Sequence, residues 1–231
     1  MTPPAFELDN ASLSLDGNAG RIDILHNISI AVETGSSVGL IGPSGSGKSS
    51  LLMLLGGLER ASSGKVMSVG QNLSAMSEDA LARFRRENMG VVFQSFHLIP
   101  TMTALENVAT PLELAGRKDA FDRAAAELET VGLGHRMDHY PNQMSGGEQQ
   151  RVALARAAAP QPNILLADEP TGNLDGANGA AIMELLFGLQ ERHGSTLILV
   201  THAEELADRC DRLIRLQDGR VADDALKVAA Q

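Results

Sequence analysis

The residues with the clearest chemical role form a glycine-rich segment, Gly42-Pro43-Ser44-Gly45-Ser46-Gly47-Lys48-Ser49. Its pattern is typical of a phosphate-binding loop, in which backbone N–H groups surround phosphate oxygens, a lysine reaches the β- and γ-phosphates, and a serine hydroxyl ligates Mg²⁺. An ordinary glycine-rich turn is the alternative, but a strand pattern before the segment and a helical pattern after it favour phosphate binding. The expected phosphate contacts are Gly42, Pro43, Ser44, Gly45, Ser46, Gly47, Lys48, Ser49 and Ser50.

A second candidate is a pair of carboxylates, Asp168 and Glu169, at the end of the apolar segment 164–167. If that segment is a parallel strand, both acids lie at the carboxyl edge of the sheet, where ligands bind in α/β folds. Asp168 would then hold Mg²⁺ and Glu169 would polarise the attacking water, because hydrolysis needs an aligned nucleophile. Two acids at a helix start are also common, and only the phosphate loop upstream decides against that alternative.

A third candidate is Ser145-Gly146-Gly147-Glu148, which begins a helical pattern. The start of a helix leaves several backbone N–H groups without intrahelical partners, so it can bind an anion. A serine at this position is equally typical of an ordinary capped helix, and the physical argument alone favours that simpler interpretation. The residues by themselves leave both interpretations open.

The elements that must position these residues follow an α/β pattern, in which short apolar segments alternate with segments of helical period. Strands are expected at 37–41, 65–69, 89–93, 164–167, 196–201 and 212–216, with antiparallel strands near 12–15 and 29–32, and helices at 49–58, 120–131 and 147–158. We expect one domain with a mainly parallel core sheet. Its nucleotide-binding core would be 1–94 and 160–231, its helical subdomain 95–159, and 221–231 would be a loosely held end.

Composition excludes several classes of function. The formal net charge of −10 argues against nucleic acid as a partner and against broad contact with an anionic membrane surface. The longest apolar segments are far shorter than the roughly 18 residues that a membrane-spanning helix needs. Because Cys210 has no second cysteine to pair with and residues 1–10 lack the regions of a signal peptide, we expect a cytosolic chain. Attachment to a membrane protein remains compatible with all of this.

Taken in order, the motifs resemble those of the ABC-type ATPases, a family of P-loop NTPases. Ser145-Gly146-Gly147-Glu148-Gln149 is similar to the family signature, and it lies between the phosphate loop and the Asp168-Glu169 pair. Gln94 stands where the family has its Q-loop glutamine, Asn173-Leu174-Asp175 resembles the D-loop, and His202 follows an expected strand as the switch histidine does. Each residue alone would be an ordinary surface or turn residue, whereas the ordered set is specific.

The resemblance implies an enzyme that binds ATP and Mg²⁺ and hydrolyses ATP to ADP and phosphate. It also implies a head-to-tail homodimer, in which ATP on the phosphate loop of one copy is covered by the signature of the other. The implied catalytic residues are Glu169, His202, Gln94 and Lys48, the Mg²⁺ ligands Ser49, Gln94 and Asp168, and the further nucleotide contacts Leu15, Ser145, Gly146, Gly147 and Glu148.

Segments 94–100, 104–108 and 167–175 look like the lipoprotein-release and macrolide-export branch of the family. That branch implies an integral membrane permease docked near 94–108, a place at the cytoplasmic face of the inner membrane, and export, lipoprotein extraction or transmission of force as the output. An ATP-gated module that regulates a cell-wall or division partner is the alternative. One departure is Leu15, which stands where the branch usually has an aromatic residue on adenine.

Overall fold

A computed structural model describes residues 3–17 and 20–226. The chain divides into a first unit, made of 1–85 and 196–231, and a second unit, made of 86–195. The expected helical subdomain, 95–159, falls within the second unit, and its separate boundaries stay a prediction. None of the helices in the described part of the chain has the length and hydropathy needed to cross a membrane.

The strands, in chain order, are β1 (Phe6–Gly17), β2 (Gly20–Val32), β3 (Ser37–Ile41), β4 (Ser63–Ser68), β5 (Gln71–Asn72), β6 (Met89–Phe93), β7 (Ile164–Asp168), β8 (Thr196–Val200), β9 (Arg212–Gln217) and β10 (Arg220–Leu226). The α-helices are α1 (Lys48–Leu55), α2 (Glu78–Asn88), α3 (Ala104–Leu114), α4 (Ala120–Thr130), α5 (Gly146–Ala158), α6 (Gly176–His193) and α7 (Glu204–Ala207). Short 3₁₀ turns lie at 73–75, 134–136 and 141–143.

The first unit contains an antiparallel sheet in the order β2-β1-β4-β5 and a second set of strands centred on β3. β3 pairs in parallel with β8 on one side and with β9 on the other, and β10 pairs antiparallel with β9. All five residues of β3 and all five of β8 are buried. Such continuous burial is typical of parallel strands covered on both faces, and α1 packs against β8, β1 and β2.

The second unit holds β6 and β7 as a parallel pair, with Phe93 opposite Asp168. Helix α5 packs against β6, α3, α4 and α6. Its approach to β6 is so close that a Cβ on Gly90 would lie 2.2 Å from the carbonyl oxygen of Ala157. A glycine in this strand therefore lets the signature-bearing helix lie directly on it.

The expected strands and helices are all present, although several boundaries move. The two antiparallel strands are much longer than expected, and the helices α2, α3, α6 and α7 and the short strand β5 had no assignment from the sequence. The prediction of a loosely held end was wrong for 221–226, because β10 pairs along β9 and the Arg212 guanidinium forms two 2.6 Å hydrogen bonds to the Asp224 carboxylate. Residues 227–231 lie outside the described ranges.

Candidate nucleotide-binding site

The phosphate loop, residues 42–49, connects β3 to α1 in the first unit. Gly42, Gly45 and Gly47 have φ values of 149°, 78° and 96°, a region that side chains disfavour. A Cβ on Gly42 would lie 2.1 Å from the carbonyl oxygen of Leu216, so the turn also needs glycine for space. Both the φ values and the close approach explain why glycine occupies these positions of the loop.

The polar groups of the loop fit an anionic ligand. The Lys48 side chain is 5% exposed, and its ammonium donates to the carbonyl oxygens of Gly42 and Pro43 at 2.9 Å each, which holds its charge against the loop backbone. The Ser46 hydroxyl is buried and has no hydrogen-bond partner among the described residues. Because a buried hydroxyl without a partner is costly, a ligand such as a phosphate would complete this loop.

Helix α1 begins directly after the loop, with Gly47 as its N-cap. Gly47 has no side chain, so the N-cap residue itself makes no capping hydrogen bond at this end. The first backbone N–H groups and the positive end of the helix dipole therefore favour a bound anion. Backbone and side chains thus agree on a phosphate group at this position.

His202 lies in the same unit, two residues beyond the end of β8. Because β8 is the parallel neighbour of β3, His202 and the phosphate loop emerge at the same edge of these strands. The preceding residue, Thr201, donates its N–H to the Leu40 carbonyl at 3.3 Å and accepts from the Ala203 N–H at 3.1 Å. The structure therefore brings two of the predicted site elements together.

Gln94 and Glu169 emerge at the same edge of the second unit, because they follow the parallel neighbours β6 and β7. Glu169 has φ of 45°, a strained value for a residue with a side chain and one often found at functional sites. The Asn173 amide donates to the Gln94 carbonyl at 3.0 Å, and the Gln94 amide makes a long 3.4 Å bond to the Asn173 side-chain oxygen. Gly172 also leaves space for the Gln94 side chain, because a Cβ on Gly172 would lie 2.6 Å from Nε2 of Gln94.

The predicted Mg²⁺ ligands are divided between the units, with Ser49 in the first and Gln94 and Asp168 in the second. Within the described residues there is no group of three or more His, Cys, Asp or Glu side chains that could hold a metal. Mg²⁺ at a nucleotide usually takes one or two protein oxygens and completes its shell with phosphates and water. A hydroxyl, an amide and one carboxylate suit that role.

The signature segment starts α5 with a complete capping box. Ser145 accepts from the Glu148 N–H at 3.3 Å, while one Glu148 oxygen accepts from the Ser145 N–H at 2.8 Å and from its hydroxyl at 2.9 Å. The other oxygen accepts from Nε of Arg136 at 3.1 Å. These bonds, those from Ser145 first, hold the pKa of the Glu148 carboxyl below its ordinary value. In this structure, then, both oxygens of the Glu148 carboxylate are used within the helix cap and by Arg136.

The predicted D-loop aspartate, Asp175, caps α6. Its carboxylate accepts from the backbone N–H and the side-chain amide of Asn178, both at 3.0 Å. These bonds lower the pKa of Asp175 below its ordinary value.

Sequence reasoning missed two residues of α5 that connect the signature to other predicted elements of the second unit. The Arg156 guanidinium donates to the carbonyl oxygens of Phe96 and His97 at 2.7 and 2.6 Å, and both of these residues have positive φ. The buried Gln150 amide donates to the Pro170 carbonyl at 2.7 Å, next to Glu169. The sequence signal that could have pointed to one of them was a lone arginine, Arg156, within the alanine-rich end of α5.

The comparisons with known proteins agree with this geometry. The sequence profile of the ABC transporter family matches residues 25–172. The chain is 51% identical to the uncharacterized ABC transporter ATP-binding protein YbbA of Escherichia coli K12, over 95% of this chain and 97% of that protein. It is 48% identical to the lipoprotein-releasing system ATP-binding protein LolD 2 of Caulobacter vibrioides, over 96% of this chain and 98% of that protein.

Among solved structures, the chain is similar to a dimeric post-hydrolysis state of the ATP-binding cassette MJ0796 bound to ADP and Pi. The TM-score is 0.89 and the identity 39%, over 96% of this chain and 98% of that one. These relationships confirm the resemblance, the α/β P-loop fold class and the use of ATP with Mg²⁺. The roles of individual residues remain predictions. The chain belongs to the ABC transporter family, as one of its ATP-binding, ATP-hydrolysing members.

Proposed function

We propose that this chain is the ATPase subunit of a membrane complex, in which two copies close head to tail on ATP and drive a permease at the cytoplasmic face of the inner membrane. The observation that carries the proposal is the phosphate loop, with its buried Lys48, its unpartnered Ser46 hydroxyl and the uncapped start of α1. All three are features that a triphosphate would complete.

The chemistry is assigned to residues at the strand ends. Lys48 and the loop N–H groups bind the β- and γ-phosphates, and Ser49, Asp168 and Gln94 hold Mg²⁺. When bound, Mg²⁺ neutralises charge on the transferred phosphoryl group. Glu169 orients the attacking water and accepts its proton, with His202 as the second polar group at the γ-phosphate.

The dimer is proposed because the signature is exposed at its first residue. Ser145 lies at the surface, and Gly146 and Gly147 leave the start of α5 without bulky side chains. The solved relative is named as a dimer that holds ADP and Pi. In the proposed assembly, this helix start covers the nucleotide of the second copy, so a monomer binds ATP but hydrolyses it poorly.

A groove of about 250 Å³ in the second unit supports docking of the permease next to the predicted segment 94–108. Its lining contains apolar Met89, Val91, Pro111 and Leu114 together with Arg86 and Arg156, and none of its lining residues, all of them described, is acidic. A cytoplasmic permease helix with apolar side chains and a carboxylate complements this surface. Since Arg156 also holds the loop after Gln94, an occupant of the groove would contact a residue connected to the proposed catalytic edge.

The output is proposed from the relatives. LolD 2 is named as part of a lipoprotein-releasing system, so we propose export, lipoprotein extraction or transmission of force for the complex. A regulatory module acting on a cell-wall or division partner has the same ATPase chemistry and differs only in the protein that it contacts.

The test of the ATPase assignment is the Glu169→Gln variant. It should bind MgATP and dimerise as tightly as the wild type or more so, while turnover falls by a factor on the order of 100 or more, because the general base is lost. Glu191→Gln, an exposed carboxylate on α6, is the matched control and should hydrolyse normally. Unchanged turnover of Glu169→Gln would remove Glu169 from the catalytic role.

The test of the partner is purification from membranes in mild detergent. A permease should accompany the wild type and be lost with Leu114→Asp, because Leu114 lines the groove and is 68% exposed. Phe121→Asp, an exposed apolar position on α4, should retain the partner. A wall-associated regulator in place of a permease would support the alternative function.

A further inference from the structure

A buried glutamine on α5 makes one short hydrogen bond and leaves its other polar atom unpaired. Gln150 is 0% exposed, and its Nε2 donates to the Pro170 carbonyl at 2.7 Å. Its Oε1 is buried and has no hydrogen-bond partner among the described residues. An unpaired buried oxygen costs about as much stability as one hydrogen bond contributes. An apolar side chain of the same shape would therefore stabilise the fold as well, and the amide needs a different explanation.

The accepting carbonyl belongs to the turn that directly follows β7. The Glu169 carbonyl accepts from the Gly172 N–H at 3.0 Å, and the Thr171 carbonyl accepts at 3.0 Å from the N–H three residues further on. The carbonyl of Pro170 lies between these two acceptors in the chain. Because the proline ring fixes φ, the direction of this carbonyl depends on a single remaining backbone rotation. The bond from Gln150 holds that rotation.

Glu169 itself depends on support from its surroundings. Its φ of 45° is unfavourable for a residue with a side chain, and such a conformation persists only where neighbouring groups hold it. The next residue, Pro170, is buried. If the Pro170 carbonyl turned away from Gln150, the turn that closes on Glu169 would relax and its carboxylate would move. A displacement of about 1 Å can lower a reaction rate on the order of 100-fold.

We propose that Gln150 is a positioning residue for hydrolysis, which keeps the Glu169 carboxylate aimed at the attacking water by holding the Pro170 carbonyl. The inference rests on the proposed catalytic role of Glu169 and adds a support from α5, the helix that begins with the signature. Gln150 acts through the turn after β7, and the phosphate loop does not contain it. Its removal should therefore affect the chemical step and leave nucleotide binding unchanged.

Gln150→Met tests this, because methionine keeps the length and volume of the side chain and removes the donor. The kcat of the full chain for ATP should fall about ten- to 100-fold. The Kd for MgADP, measured by calorimetry, should stay within about twofold of the wild type. The Tm should change by less than about 3 °C, since the unpaired oxygen is lost together with the bond. A wild-type kcat, or equal losses in kcat and in MgADP affinity, would overturn the proposal.

Ser195→Ala is the matched control at the opposite end of β7. Ser195 is 0% exposed, lies in the same unit, and donates its hydroxyl to the Pro162 carbonyl at 2.6 Å. Loss of this bond should lower the Tm by about 3–6 °C and leave kcat unchanged. If Ser195→Ala lowered kcat as much as Gln150→Met, the effect would belong to general stability and the positioning role would be lost.

The same substitution in a Glu169→Gln background separates this inference from the ATPase assignment. If Gln150 acts through Glu169, Gln150→Met should leave the residual kcat of Glu169→Gln within about twofold, because effects of coupled residues do not add. A loss by the same factor in both backgrounds would overturn the positioning role and leave the ATPase function intact. Unchanged turnover of Glu169→Gln alone would instead contradict the proposed function, since Glu169 would then have no catalytic role to support.

Discussion

The starts of α1 and α5 use opposite solutions to the same problem. Both helix starts contain glycine, as the N-cap residue of α1 and as the first residue of α5, and both leave N–H groups that need partners. At α1 the N-cap residue is Gly47, which has no side chain to cap the helix, and its backbone is left-handed. At α5 Ser145 and Glu148 form a full capping box, and Arg136 pairs with the same glutamate.

The difference indicates how the two ends serve nucleotide binding. The uncapped end of α1 depends on a ligand to satisfy its donors, and its shape comes from backbone φ values that glycine alone adopts easily. The capped end of α5 is already satisfied, so Ser145 is held in place before any partner copy arrives. In the proposed dimer, one end would therefore bind phosphate, and the other would be a preordered surface that covers it.

The largest expected effect comes from a substitution that distorts the backbone of the phosphate loop before α1. Gly42→Ala should abolish measurable nucleotide binding and lower the free energy of unfolding by about 3 kcal/mol, because its Cβ would lie 2.1 Å from the Leu216 carbonyl oxygen. Nucleotide calorimetry and urea unfolding measure both effects.

The matched control for that variant is Gly45→Ala. Gly45 has φ of 78° and nothing within 4 Å of its built Cβ, so the cost should be strain alone, about 1–2 kcal/mol. Equal losses of stability in the two variants would show that close approach to Leu216 does not matter.

A smaller effect is expected from removing part of the capping box at the start of α5. Glu148→Ala should lower the free energy of unfolding by about 1 kcal/mol and should reduce ATP turnover of the isolated chain up to about tenfold, because Ser145 loses the group that orders it. Urea unfolding and steady-state hydrolysis are the measurements.

The control is Glu106→Ala at the start of α3, where Thr103 and Glu106 form the same type of capping box. It should cost similar stability and leave turnover of the isolated chain unchanged. If both variants lowered turnover equally, the effect would belong to general stability and the proposed role of the α5 cap would be lost.

The smallest expected effect is a pH dependence of the α5 cap. The Ser145 hydrogen bonds and Arg136 lower the pKa of Glu148 below its ordinary value of 4.5. A lowered pKa means that the ionised carboxylate stabilises the fold above the unfolded value, and that this contribution is lost as the pH falls through the folded value. Glu148→Gln should therefore melt below the wild type at pH 7, with the difference shrinking below about pH 4. A gap that widened on acidification would contradict this.

The phosphate loop was predictable because its function lies in consecutive residues. The glycine positions specify φ, the apolar residues before them specify a strand, and no distant side chain is needed to form the turn. The same locality explains the success with β7 and the start of α5, where a burial pattern and a cap stand within a few residues of each other.

Other features depended on contacts between distant residues. The bonds from Arg156 to the carbonyls of Phe96 and His97 join positions 59 and 60 residues apart, and no periodicity could reveal them. The wrong prediction for 221–226 has the same origin, because an acidic, alanine-containing segment becomes a strand only when β9 offers its edge and Arg212 binds Asp224.

The sequence also could not decide between an anion site and an ordinary helix cap at Ser145. A serine and a glutamate three residues apart are compatible with both. The structure shows that the Glu148 carboxylate accepts from the Ser145 N–H and from Arg136, so its charge is used within the cap. For Leu15 the sequence showed only a missing aromatic residue. The register of β1 and β2 supplied Ile22 as its partner on the neighbouring strand.

The sequence by itself therefore determined the α/β class, the phosphate loop and the order of motifs that shows the family, because each depends on short-range pattern and backbone preference. Only the tertiary structure decided which side chain holds the loop after Gln94, which carboxylate closes the α5 cap, and which residue pairs with Leu15. Those outcomes depend on strand register and on hydrogen bonds between residues far apart in the chain, whose energies no local segment contains.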